Sequence, residues 1–348
     1  MRWAGWWVAV ACSIACGGSR PGGGSGGGGG DPDAGPADGG GTPTDGGVGA
    51  DCTGLLPPAP GSAVIFDVTS SGAACGATKI DGAGNTICWV QSFWVEYLPN
   101  GARNGTFGAP LDLFGQESGF IGVFGSAAPY TVALWSDGGK QTQSDVTGVA
   151  LALGPASGPG VVAVAANSGT LSVEKLDGSG NEITSTDVTS SAMPIGAAED
   201  ASGAVLALTS SGASVSGFWV DLTRKSAGQP FAIGTASTVV ARPLLGSGVA
   251  LQLDGRWAGV LQPGETTLQP VPSWIGNAAD IVSVRGGSAL ALVPQTGNRV
   301  EIISPKGNSC GFVTFPGVST VSVGVDGSAV GSTGTGGCTK LVWRNALR

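Results

Sequence analysis

Across residues 62–348 the chain alternates short β-branched and aromatic runs with clusters of Gly, Ser, Asn, Asp and Pro. No stretch carries the 3.6-residue apolar spacing of an amphipathic helix, so the pattern predicts strands joined by turns. The runs repeat. A Gly followed by an apolar, Ala-rich strand recurs at 160–165 (GVVAVA), 203–208 (GAVLAL), 248–253 (GVALQL), 287–292 (GSALAL) and 327–331 (GSAVG). Successive glycines lie 39 to 45 residues apart. Residues 84–89 (GNTICW) and 119–124 (GFIGVF) extend the series more raggedly, which makes about seven units. Each unit shares one grammar. A strand precedes the Gly, as at 281–284 and 320–323, and the Ala-rich strand follows it. A more aromatic or charged strand comes next, as at 171–176, 218–222 and 299–303, and then a variable one, as at 182–185 or 311–315.

Four antiparallel strands recurring every 40 to 45 residues is the grammar of a β-propeller blade. The expected fold class is therefore all-β: a single propeller of about seven four-stranded blades, six being the other count. Small residues in the Ala-rich strands suit crowding near the axis, and Glu174, Lys175 and Glu301 suit wetter outer strands. Residues 341–343 (LVW) read as a third strand with no fourth behind it, while 63–68 (AVIFDV) is a strand before the first full unit. Pairing the spare strand with the incomplete blade would close the ring and remove an exposed edge. A β-helix has too short a coil for this period, and tandem sandwiches of about 100 residues have too long a one. The segments 176–181 (LDGSGN) and 79–85 (KIDGAGN) resemble the strand–turn–strand of generic bacterial propellers, including quinoprotein-like repeats, and that resemblance implies fold alone. The Trp-Asp and Gly-His signature of WD repeats and the aromatic spacing of kelch repeats are missing.

The first residues follow a different pattern. One positive residue, Arg2, precedes an apolar run over 3–15 that is too short for a membrane-spanning helix of about twenty residues, so 1–15 reads as an export signal. Residues 13–16 (SIAC) resemble the lipobox of bacterial lipoproteins, although Ser13 stands where that family usually has Leu. The resemblance implies acylation of Cys16; Cys12, after residues 9–11 (AVA), is the alternative, and an ordinary cleaved signal is the plainer one. Residues 16–61 read as a disordered Gly/Ser/Pro/Asp-rich tether that cannot offset its ordering entropy by burial. Its Gly-rich 34 residues or so would reach roughly 30–35 Å. Gly17 after the cysteine generally goes with outer-membrane delivery in such lipoproteins. The uncharged stretch 146–173 is interrupted by Pro155, Pro159 and several Gly, and reads as two buried strands rather than a span. The propeller itself is assigned to 62–348.

Composition narrows the chemistry. The 348 residues include no His, which removes Ser-His-Asp and Cys-His nucleophiles, His-ligated metals and the usual base near neutral pH. Charged residues are 11% of the chain, with 16 Lys+Arg and a net charge of −8, so nucleic acid is not an expected partner. Export places the folded part among oxidised thiols. A two-residue Asp81-Gly82 turn would set Cys75 opposite Cys88, leaving Cys310 to pair with Cys338 and Cys52 free; a longer turn breaks that match, and a reshuffled set joins Cys52 to the domain. No zinc spacing occurs, and neither cofactor nor metal is expected. Asp67, Asp112, Asp145, Glu199 and Asp200 are the carboxylates an enzyme could gather at one channel end, against a plain reading as turn residues. Trp94, Trp219, Trp257 and Trp274 are candidates for a sugar-binding surface, against packing between blades. The expectation is a monomeric, lipid-anchored envelope protein with a non-catalytic propeller that binds or scaffolds a protein or glycan. A carboxylate-dependent polysaccharide hydrolase or lyase, or a purely structural protein, are the alternatives.

Overall fold

The computed structural model describes residues 50–68, 75–90, 93–108, 110–136, 138–246, 248–276, 278–284, 288–324, 327–333 and 338–347, with only the backbone of 50, 75–77 and 140–145. Residues 1–49, which include the expected export signal, Cys12, Cys16 and most of the expected tether, lie outside the described residues. A short 3-10 turn, η1 (Ala50–Cys52), and strand β1 (Val64–Asp67) come first. Blade 1 is β2 (Cys75–Ile80), β3 (Thr86–Val90), β4 (Phe93–Tyr97) and β5 (Arg103–Gly108). Blade 2 is β6 (Asp112–Gly115), β7 (Phe120–Phe124), β8 (Tyr130–Ser136) and β9 (Gly139–Gly148). Blade 3 is β10 (Ala150–Pro155), β11 (Val161–Asn167), β12 (Thr170–Leu176) and β13 (Glu182–Thr189). In blade 4, β14 (Met193–Glu199), β15 (Ala204–Ser211) and β16 (Ser214–Asp221) are flanked by an outer edge in two pieces, β17 (Ser226–Ala227) and β18 (Phe231–Thr235). Blade 5 has β19 (Val239–Pro243), β20 (Val249–Leu253) and β21 (Arg256–Leu261), its outer segment reduced to the bridge between Val260 and Gln269. Blade 6 is β22 (Ala278–Val284), β23 (Ala289–Pro294), β24 (Arg299–Ile303) and β25 (Ser309–Thr314). Blade 7 is β26 (Thr320–Val323), β27 (Ala329–Ser332) and β28 (Thr339–Trp343), completed by β1.

The seven sheets form a closed β-propeller. First strands of successive blades touch from β6 through β10, β14 and β19 to β22, and β26 touches β2. The closing pair runs antiparallel with Val64 opposite Val342 and Asp67 opposite Thr339, whose hydroxyl donates to the Asp67 carboxylate at 2.6 Å. Within 146–173 the two strands β10 and β11 are joined by the Gly/Pro loop, as expected, with the end of β9 before them and the start of β12 after them, and among the described residues no helix is long and apolar enough to cross a membrane.

The core explains why the Ala-rich strands are continuous apolar runs rather than alternating ones. A blade's second strand is covered on both faces, by a different neighbour on each. In β11, Val161, Ala163 and Ala165 pack toward blade 2, while Val162, Val164 and Ala166 pack toward blade 4. In β15, Val205 and Ala207 face blade 3, and Leu206 and Leu208 face blade 5. Each blade boundary around the ring has its own apolar cluster, including the closing boundary, where Phe66, Val68, Val330 and Val342 meet Ile80, Cys88, Val90, Val95 and Tyr97.

The recurrent Gly has a second reason. It opens the second strand with its N–H aimed at the preceding blade's first turn. Gly119 donates to Asp81 at 2.6 Å, Gly160 to the Gln116 side chain at 3.0 Å, and Gly248 to Asp200 at 3.5 Å. At Gly160, φ is +108° and a Cβ would stand 2.0 Å from the Leu176 carbonyl oxygen, so no other residue fits. Asp81 also accepts the backbone and side-chain N–H groups of Asn85, both at 2.7 Å, and is wholly buried. Burial pushes its carboxyl up to about 6 against the N–H groups of Gly119 and Asn85, with the charge of Glu96 adding to the rise. An acid with a raised folded value holds its proton more tightly when folded. The stability it contributes is present in full below its ordinary value of 3.8 and is lost as pH rises through about 6. Asp81→Asn cannot titrate. Its stability relative to the native chain is expected to rise by up to about 3 kcal/mol between about pH 4 and pH 7, read from urea midpoints. Parallel profiles for the two proteins would contradict it.

The cysteines depart from the expected pairing. The turn after β2 runs through 81–85 instead of two residues, so Ile80 faces Thr86 and Thr78 faces Cys88, while Cys75 faces Val90. Cys88 is consequently a free, buried thiol, and burial pushes it up to about 11. Cys310 is bonded not to Cys338 but to Cys52, with the two Cα atoms 5.2 Å apart. Cys338 is disulfide-bonded as well, to a partner outside the described side chains. Residues 50–61, assigned above to the tether, are thus attached to the propeller. Cys52 and Leu55 pack at the boundary of blades 6 and 7, and Asp51 accepts hydrogen bonds from Ser304 and Asn308 at 2.6 and 2.8 Å.

Candidate functional site

The first strands enclose a central channel with a cavity of about 500 Å³. Four ionisable side chains from four blades gather there: Lys79 on β2, Asp112 on β6, Arg242 on β19 and Asp280 on β22. Lys79, Arg242 and Asp280 line the cavity, and Asp112 stands close enough to feel both cations. Glu117 is exposed at one mouth.

Every one of these groups reaches across a blade boundary. The Lys79 ammonium donates to the Leu113 carbonyl of blade 2 and lies 5.5 Å from the Phe114 ring centroid. Asp112 accepts the N–H of Leu113 at 2.9 Å and of Leu153, in blade 3, at 3.2 Å. Arg242 of blade 5 holds Asp280 of blade 6 in a two-pronged pair, Nε at 2.6 Å and Nη2 at 3.3 Å, and donates from Nη1 to the Ala241 carbonyl at 3.1 Å. Burial lowers Lys79, with Asp112 pulling it back up. Burial likewise raises Asp112, opposed by Lys79 and the two N–H donors. For Arg242 burial works against the charge, but Asp280 more than restores it and holds the guanidinium above its ordinary value. The signs alternate around the channel, with cations on blades 1 and 5 and carboxylates on blades 2 and 6.

Of the five carboxylates singled out in the sequence, Asp112 alone is placed at the channel charges by the described side chains. Asp67 sits on the outermost strand of blade 7. Glu199 and Asp200 lie at the first turn of blade 4, where Glu199 pairs with Lys175 at 2.6 Å and accepts from Ser157, and Asp200 accepts from Ser202 and Ala204. The side chain of Asp145 lies outside the description. Lys79, Arg242 and Asp280 were not among the candidates. Their signal was a charge inside an otherwise apolar first strand. The tryptophans pack: Trp94 is buried against Trp89, Trp219 donates to the Glu265 carbonyl at 2.9 Å, Trp257 to that of Ala278 at 2.8 Å, and Trp274 lies against the core between blades 5 and 6.

No protein-family description and no curated protein matches the chain. Among solved structures it is similar to the Pan2 WD40 domain of Neurospora crassa, at 12% identity over 82% of this chain and 97% of that one, with a TM-score of 0.42. BamB from Moraxella catarrhalis is similar at 12% identity over 83% and 92%, TM-score 0.40. Virginiamycin B lyase from Staphylococcus aureus is similar at 9% identity over 81% and 98%, TM-score 0.41. The propeller assignment itself rests on the strand order and closure described above.

One surface feature adds to the channel. Leu111, Val149 and Met193, at the starts of the first strands of blades 2, 3 and 4, are 60%, 54% and 49% exposed. Three large apolar side chains thus stand exposed at matching places on consecutive blades.

Proposed function

We propose that the protein is a non-catalytic binding or scaffold module of the bacterial cell envelope, exported, acylated at Cys16 with Cys12 as the alternative, and acting as a monomer, most simply at the outer membrane. The channel supports the binding reading over acid–base chemistry. A catalytic acid or base needs a group free to exchange a proton with substrate. Here Lys79 and Asp112 each spend part of their hydrogen-bonding capacity on a neighbouring blade's backbone, and Arg242 and Asp280 on each other, which favours their charged, ligand-binding forms. The alternative of a hydrolase or lyase asks for convergent carboxylates, and here Asp112 and Asp280 each face a cation while Glu117 stands exposed at the mouth. The partner, a protein or glycan of the envelope, would meet the loop face that carries Leu111, Val149 and Met193.

Two measurements test this. Metabolic labelling of the full chain with an alkynyl fatty acid should mark the native protein and Cys12→Ala but not Cys16→Ala; an unlabelled native chain would refute the anchor. Affinity capture from envelope extract should enrich a species that the triple variant Leu111→Asp, Val149→Asp, Met193→Asp fails to hold. Equal capture by both proteins would count against that face.

A further inference from the structure

The channel charges retain more hydrogen-bonding capacity than their mutual contacts use. An ammonium has three donors and a guanidinium five. Lys79 uses one on Leu113, and Arg242 uses three, on Asp280 and Ala241. A carboxylate offers about four acceptor sites. Asp112 takes one N–H on each oxygen, and Asp280 takes Arg242 on both and Ile281 on one. Donors therefore remain on Lys79 and Arg242 and acceptor sites on Asp280 along a cavity of about 500 Å³, with Asp112 outside its lining and Glu117 at its mouth. That volume is within the range of small-ligand sites. The wall between the charges mixes hydroxyls and apolar groups, among them Thr78, Ser322, Val282 and Pro243.

The sign pattern selects the ligand. Two cations and two carboxylates alternate and cancel in the inner ring, and Glu117 adds a carboxylate at the mouth, so a simple anion meets at least as much repulsion as attraction while a simple cation meets Lys79 and Arg242. A molecule carrying both an ammonium and a carboxylate can satisfy both kinds of group at once. Desolvated charges are recognised well only when each finds an opposite, hydrogen-bonded partner. Small or apolar residues along a short backbone would suit the remaining wall.

We propose that the central channel binds a small zwitterion of the amino-acid or short-peptide class, its carboxylate on the Lys79 or Arg242 donors and its ammonium on Asp280. This rests on the binding-module reading and names a ligand for its channel. Titration calorimetry of the full chain with L-alanyl-L-alanine is the test, run beside its N-acetyl derivative, an anion, and its C-terminal amide, a cation. Capping either end is expected to weaken binding at least tenfold, and Lys79→Gln to weaken it similarly. The capped peptides are measured on the native protein, so the comparison stands even where Lys79→Gln fails to fold. Absence of heat with the free dipeptide, or equal affinity for either capped form, would overturn the proposal. If the dipeptide fails while envelope capture still depends on the loop face, the zwitterion is wrong and the binding module survives; if both fail, the reading beneath it fails too.

Discussion

Gly154→Ala is expected to destabilise the propeller by on the order of 3 kcal/mol or more. Gly154 lies in β10, opposite Val162, where the first strands of blades 3 and 4 come together. A Cβ built there would stand 1.6 Å from the carbonyl oxygen of Ala197 and 2.3 Å from its carbonyl carbon. Those atoms are backbone of β14, which is itself laddered to β15 with Ala197 opposite Ala207, so the obstacle cannot rotate away as a side chain would. Relief requires moving one blade relative to the next. Because each blade boundary is a close-packed apolar cluster, such a shift loosens contacts well beyond the site. The expected reading is a fall in Tm of roughly 5–10 °C, followed by circular dichroism. Gly108→Ala is the control: it meets nothing within 4 Å and sits on an outer strand, and it should leave Tm nearly unchanged. Similar losses for both would mean that the approach of blades 3 and 4 is looser than described.

Gly154 also marks what a sequence of this kind does and does not display. The Ala-rich second strands were legible because burial on both faces leaves a continuous apolar run, and a period near forty residues then has few structural meanings. Ring closure was legible for a topological reason: 63–68 and 341–343 were each unpaired, and one was what the other needed. Disulfide connectivity was not legible, since Cys75 and Cys88 oppose each other only with a two-residue turn, and the observed 81–85 turn sets Cys88 opposite Thr78 instead. The channel was half legible. Asp112 was among the candidate carboxylates, but Arg242 and Asp280 are 38 positions apart in the chain, and only the side-by-side stacking of blades 5 and 6 brings them to 2.6 Å. In blade 5 the outer strand is lost to a single bridge, a departure from the repeat that no local pattern announces.

Cys310→Ser is expected to cost about 2–5 kcal/mol, with loss of the ring's closure as the first event of unfolding. The bond from Cys52 to Cys310 spans 258 residues. On a chain-entropy account a loop that long restricts the unfolded ensemble by roughly 5 kcal/mol. Its placement adds a folded-state consequence. Cys52 is held on β25 of blade 6, and β1 begins at Val64, so the bond keeps the closing strand tethered beside blade 7 when its own pairing breaks. Re-pairing of β1 with β28 is then a local event rather than a search by a long free chain. Without the bond, detachment of β1 uncovers the edge of β28 and takes Phe66 and Val68 out of the cluster between blades 7 and 1. Hydrogen exchange should therefore accelerate first in residues 339–343, and urea unfolding should shift to lower midpoint. Cys52→Ser combined with Cys310→Ser should match the single variant, since both remove one bond. A native chain whose midpoint is unmoved by reduction, with unaltered exchange in β28, would show that pairing and packing close the ring unaided.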